Sequence, residues 1–179
     1  ADGDGDQDLY VVRGGNEELP GSPFLADRLL INDGSGFFTS CPREALPYLS
    51  HNGSCIVPAD FDLDGDVDLF LGSRSIPGAY GLSPEHFLLE NDGKGRFRFL
   101  NREQTGGLHA AGMVTDAAWG DLDGDGDPDL VVVVVSLTFT DGISTGSPSR
   151  SSRRSATRTR PMSTGRECRS TAVMSSSIV

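Results

Sequence analysis

Asp60-Phe61-Asp62-Leu63-Asp64-Gly65-Asp66-Val67-Asp68-Leu69 is repeated as Asp121-Leu122-Asp123-Gly124-Asp125-Gly126-Asp127-Pro128-Asp129-Leu130. A shortened copy, Asp2-Gly3-Asp4-Gly5-Asp6-Gln7-Asp8-Leu9, stands at the head of the chain. Aligned on the closing Asp-Leu, the copies recur after 60 and then 61 residues. Carboxylates at alternate positions around a glycine suit a hard cation: calcium takes about six to eight oxygens at about 2.3–2.6 Å. Five carboxylates within nine residues would repel one another without one. A solvated acidic turn is the plainer reading, but three copies in matching register favour calcium.

Charge divides the chain. Residues 1–135 hold 24 acidic against 8 basic side chains, net -16, and residues 136–179 hold 2 against 7, net +5, which together give the -11 of the whole. An acidic repeat region argues against a nucleic-acid partner, whose phosphates need a basic surface. The longest apolar run of the repeats, residues 130–135, is six residues, far short of the eighteen or so that mark a membrane helix. The opening inside a motif copy reads as a fragment boundary, so the lack of a targeting segment carries no weight. Of the cysteines, Cys41, Cys55 and Cys168, the first two could pair, which would imply an oxidising compartment, or both could be buried thiols.

A second motif shares the period. Asn32-Asp33-Gly34-Ser35-Gly36-Phe37 returns as Asn91-Asp92-Gly93-Lys94-Gly95-Arg96-Phe97. Asn-Asp-Gly between apolar runs is a hairpin signal, since these residues tolerate positive φ. Residues 28–31 and 86–89 before it, and 37–39 and 96–100 after it, read as strands. So do residues 55–59 and 69–72 around the acidic loop, with 113–119 and 130–135 as their next copies. Each period is therefore strand, acidic loop, strand, long connection, strand, turn, strand. Four antiparallel strands per sixty residues predict an all-β chain, a fragment of a β-propeller. Its parts are a partial blade over 1–50, a full blade over 51–110 and the start of a blade over 111–135. The long connections, 14–27 and 73–85, gather at one face, where partners bind.

The acidic loop on its sixty-residue repeat resembles the FG-GAP/VCBS repeats of integrin-α-type β-propellers. Gly53-Ser54-Cys55, residues 72–80 and Gly112-Met113-Val114-Thr115-Asp116-Ala117 before Trp119 are similar to bacterial secreted proteins of the cartilage acidic protein group, which often carry an ASPIC/UnbV domain. The resemblance covers residues 1–135 and implies calcium in each loop. Asp60, Asp62, Asp64 and Asp68 would give side-chain oxygens, Asp66 its backbone carbonyl, and Gly65 the turn. Asp121, Asp123, Asp125, Asp127 and Asp129, with Gly126, match them. Asp2, Asp4, Asp6 and Asp8 lack an opening ligand and are expected to bind weakly. From Ser136 the pattern stops, and residues 136–179 read as a Ser/Arg-rich disordered tail. The change in mid-strand suits out-of-frame translation better than a basic linker.

An EF-hand shares ligands at its first positions but needs helical flanks and a Glu at position 12, where this chain has Leu71 and Val132. A repeats-in-toxin β-roll would repeat every nine residues or so. Paired Asp residues can act as glycosidase acids, but the glycines and the repetition favour metal ligation. His51, His86 and His109 are isolated, with no zinc spacing, and read as surface or structural. The sequence thus predicts no enzyme. It predicts a calcium-binding propeller segment of a secreted or cell-envelope protein that serves adhesion or binds a protein or carbohydrate. The alternative is a non-catalytic part of an extracellular enzyme, such as a polysaccharide lyase or hydrolase.

Overall fold

A computed structural model describes residues 1–135 and 171–176. Three sheets follow one another along the chain. The first joins β1 (Leu9–Val11), β2 (Arg28–Asn32) and β3 (Phe38–Ser40). The second joins β4 (Asn52–Ala59), β5 (Asp68–Ser75), β6 (Phe87–Asn91) and β7 (Phe97–Phe99) in sequence order, all antiparallel. The third pairs β8 (Met113–Gly120) with β9 (Asp129–Val135), again antiparallel. The molecule is an all-β fragment of a β-propeller, and the second sheet is one four-stranded blade.

Alternation in the central strands explains why the sheets stack. Successive side chains of a strand point to opposite faces, and β5 is apolar on both. Leu69 and Leu71 pack with Leu29, Leu49, Leu89 and Phe97 on the side of the first sheet. Phe70 packs with Leu88, Val114, Leu130 and Val132 on the side of the third. A strand buried on both faces reads as a continuous apolar run, which is how Leu69-Phe70-Leu71 looks in sequence. Phe61 and Trp119 form core between blades: they stack at 5.8 Å between ring centres, and Trp119 Nε1 donates to Val57 O.

The strand order places the acidic loops (60–68, 121–129) and the Asn-Asp-Gly turns at one end of the sheets, and the long connections at the other. Between β7 and β8 lies a short helix that the sequence reading lacks, α1 (Arg102–Thr105). Asn101 caps it by accepting from Glu103 N and Gln104 N while Gln104 Oε1 accepts from Asn101 N. That reciprocal pair is a capping box, and the turn after it carries Leu108 into the core.

Cys41 and Cys55 are both free thiols. Cys41 packs against the core between the first and second sheets and Cys55 against the core between the second and third. Cys168 lies outside the described residues, as do 136–170 and 177–179, on which most of the predicted disordered tail falls. The exception is β10 (Thr171–Ser176), which lies parallel to β9 from Thr171 opposite Leu130 to Ser176 opposite Val135. An unpaired strand edge accepts any extended segment.

Phe70 has no exposed surface. Truncating a buried Phe to Ala costs about 3–5 kcal/mol through lost burial and the cavity left behind. Phe70→Ala is therefore expected to lower unfolding stability by that amount in urea titration, with loss of the cooperative transition if the starting stability is smaller.

Candidate metal centre

Each acidic loop closes on itself through its own carboxylates. Asp60 accepts from Asp64 N and Gly65 N at 3.0 and 2.9 Å, one oxygen for each. Asp121 does the same with Gly124 N and Gly126 N at 2.8 and 3.1 Å. The carboxylate four residues before the closing Asp of each loop accepts from the amide two residues on: Asp4 from Asp6, Asp64 from Asp66, Asp125 from Asp127. These are Asx turns, in which a short side chain substitutes for a backbone acceptor. Gly65 and Gly126 take the positive φ, 97° and 92°, that the bend requires. An EF-hand is ruled out by the flanks, since residues 60–68 join two strands, β4 and β5.

The last carboxylate behaves differently. Asp68 is wholly buried, accepting from Phe61 N at 3.3 Å and from Asn91 N at 2.8 Å. It therefore joins the start of the loop to the Asn-Asp-Gly turn. Asp129 is buried and accepts from Leu122 N at 3.0 Å, the counterpart of Phe61. Asp8 accepts from Asn32 N at 2.9 Å and from Ala1 N, the same two partners in the first sheet. In sequence the alternating Asp residues look alike; in the fold the one that starts the strand is turned inward by the pleat.

The turns complete the arrangement. Asp33 Oδ1 accepts from Ser35 N and Phe37 N, and Asp92 Oδ1 from Lys94 N and Arg96 N. Of the Asn, Asp and Gly residues that tolerate positive φ, it is the glycines that take it, 71° at Gly93 and 72° at Gly95. Gly93 serves a second purpose: a Cβ there would meet the Asp66 carboxylate at 2.4 Å, and one at Gly34 would meet Asp6 at 2.4 Å. The side chains of Asp6 and Asp66 thus lie over the turns, a role invisible without the fold. Asn91 Nδ2 donates to Val67 O and to Ala1 O, bridging the acidic loops of adjacent sheets, while its buried Oδ1 has no partner among the described residues.

Two groups of carboxylates converge. Asp60, Asp62 and Asp64 offer oxygens within 4.8 Å of one another, and so do Asp121, Asp123 and Asp129. Among the described residues no Lys or Arg side chain pairs with these five exposed or half-buried Asp residues or with Asp129. Asp68 stays with its amides outside the first group, and Asp125 stays outside the second. Asp2, Asp4, Asp6 and Asp8 form no such group among the described residues. Oxygen-only donors gathered without a basic partner suit a hard divalent cation such as calcium.

A sequence profile for the FG-GAP-like repeat matches residues 1–71 and 84–132. The chain belongs to the FG-GAP-like repeat family. Repeats of this family occur in integrin-α-like propeller domains and often bind calcium, and the matched segments of this FG-GAP-like chain include all three acidic loops. No curated protein and no solved structure matches it.

His51 and His86, set aside in sequence as surface or structural, are buried between sheets. His51 stands between Asp27 and Ser73, at 2.8 Å from each. Ser73 has no exposed surface and its amide is committed to His86 Nδ1, so this Ser-His-Asp array packs the interior. His109 has its side chain outside the described residues.

Two outcomes follow from the loop geometry. Leu63 has φ 62°, where the other loops have Gly3 at 83° and Gly124 at 76°. The left-handed region costs an L-residue about 1–2 kcal/mol, and Leu63 is exposed. Against the entropy cost of glycine, about 0.5–1 kcal/mol, Leu63→Gly is expected to raise stability by up to about 1 kcal/mol in denaturant titration.

The second concerns protons. Burial, with the charges of Asp62 and Asp64 adding to it, pushes the Asp68 carboxyl up to about 7 despite its two N–H bonds. The unfolded carboxyl titrates near about 3.9. Between those values the folded chain holds a proton that the unfolded chain has released, so this group's contribution to stability falls as pH rises from about 4 to about 7. Calcium-free melts are expected to show a steeper fall across that window in the parent than in Asp68→Asn.

Proposed function

We propose that calcium is held in the loops 60–68 and 121–129 and that the chain is a calcium-stabilised propeller segment of a secreted or cell-envelope protein. The observation that carries this reading is the convergence of Asp60, Asp62 and Asp64, and of Asp121, Asp123 and Asp129, in loops closed by buried carboxylates at equivalent places. Calcium would supply charge compensation there, and the protein already supplies the closed loop. Asp66 and Asp127 would add backbone carbonyls. The buried Asp68 and Asp129 would hold the loop ends, and the loop 2–8 would bind more weakly.

The long connections at the opposite end of the sheets carry exposed Leu19, Phe24, Tyr80 and Leu82, with Tyr48 beside them. Such a surface supports adhesion or binding of a protein or carbohydrate, and the similarity to secreted proteins of the cartilage acidic protein group belongs to this reading. Among the described residues no helix is long and apolar enough to cross a membrane. The segment acts as a binding module rather than an enzyme. The second reading is that it is the non-catalytic part of an extracellular hydrolase or lyase.

Calorimetric melts decide the calcium reading. A ligand that binds only the folded state raises stability by about 1.4 kcal/mol per tenfold increase in affinity at saturation. Calcium is expected to raise the melting midpoint, and Asp64→Ala, which removes one oxygen donor and one charge, to shrink that rise. Equal rises in variant and parent would show that the loop 60–68 does not hold the ion.

A further inference from the structure

A chain of buried and part-buried hydrogen bonds runs from the first sheet to the third. Tyr10 Oη donates to Asp27 Oδ2 at 3.1 Å, and Arg13 N donates to Asp27 Oδ1 at 2.8 Å. Asp27 Oδ2 also meets His51 Nε2, and His51 Nδ1 meets Ser73 Oγ, both at 2.8 Å. Ser73 N donates to His86 Nδ1 at 3.1 Å, and His86 Nε2 faces Gly112 O at 2.8 Å. Asp27 and His86 each stand five residues before the Asn of an Asn-Asp-Gly turn, and His51 and Gly112 each stand nine before an opening Asp. The repeat thus builds the same crossing twice with different chemistry.

The two histidines differ in what a proton would do. His86 Nδ1 accepts from an amide, which can only donate, and Nε2 points at a carbonyl, which can only accept. The imidazole in this geometry is neutral, with its hydrogen on Nε2. A proton taken from solvent at Nδ1 would set two donors face to face. His51 has no such conflict, because the Asp27 carboxylate and a rotated Ser73 hydroxyl both accept from an imidazolium. We propose that His86 is an acid-sensitive latch between the second and third sheets: protonation at Nδ1 releases the Ser73–His86–Gly112 bridge, while His51 and Asp27 keep the first and second sheets together.

Several groups surround His86 among the described residues. From the segment before β6 comes Glu85 and from α1 comes Arg102, and these two pair with each other. From β5 come Ser73 and the Phe70 ring, and beyond Ser73 stand His51 and Asp27. Glu85, Phe87, Phe99, Leu100 and Arg102 line a cleft of about 200 Å³ with His86, which gives the proton its route.

Hydrogen exchange on the full chain at saturating calcium tests the latch. After correction for intrinsic rates, the amides of Met113–Gly120 should lose protection about tenfold or more between pH 7.5 and pH 5.5, since one unit of histidine titration corresponds to about tenfold. Those of Arg28–Asn32 should change by less than about threefold. His86→Gln should abolish the acid-dependent loss. Equal protection of Met113–Gly120 at both pH values, or an undiminished loss in His86→Gln, overturns the proposal. If that variant does not fold, imidazole NMR in the unaltered protein at pH 7.5 decides: His86 should carry its hydrogen on Nε2 with Nδ1 bare, and a hydrogen on Nδ1 overturns the proposal.

Discussion

The carboxylate of Asp68 is the constraint on which the acidic-loop end of the blade depends. It is buried at the first residue of β5 and holds the Phe61 amide at the start of the loop and the Asn91 amide at the start of the turn, one on each oxygen. A buried carboxylate is costly unless it is hydrogen-bonded on both oxygens; here both are used. Because it fixes where the loop begins and ends, Asp60, Asp62 and Asp64 have no choice but to approach one another. Their mutual repulsion is thus built by the fold, and relief of that repulsion is what a divalent cation offers.

The same end of the molecule is knitted laterally. Phe61 follows the opening Asp of one loop and Trp119 precedes that of the next, so their stacking joins neighbouring loops through apolar surface. Asn91 does the corresponding task for the first and second loops with hydrogen bonds. Two adjacent contacts in one repeat family are therefore made by different forces, aromatic on one side and amide on the other. The glycines of the turns matter as much for clearance as for φ, since Asp66 lies where a side chain at Gly93 would stand.

Much of this was legible in the sequence, because the features that repeat are local. The acidic loops, the Asn-Asp-Gly turns and the strands on either side all follow from spacing and turn chemistry within about ten residues. What was not legible depends on distant partners. Nothing in the alternation of Asp residues marks Asp68 as the buried one; the onset of the strand pleat does that. Asp27, His51 and Ser73 lie 24 and 22 residues apart along the chain and carry no motif, so only the stacking of sheets brings them together. The helix α1 was missed although Asn101-Arg102-Glu103-Gln104 has the residues of a capping box, since a single turn has too little periodicity to register.

Burial of β5 on both faces has a further consequence for how the molecule responds to damage. Among the described residues each sheet packs against its neighbours in sequence order, so the energetics approach those of a linear array with nearest-neighbour coupling. In such an array an injury to one unit weakens its neighbours strongly and more distant units hardly at all. The second sheet, with a partner on either side, is the unit from which order can spread in both directions. Melting in an array of this kind proceeds by fraying from its outer members, and Trp119, stacked on Phe61 and bonded to Val57 O, would report the parting of the third sheet from the second.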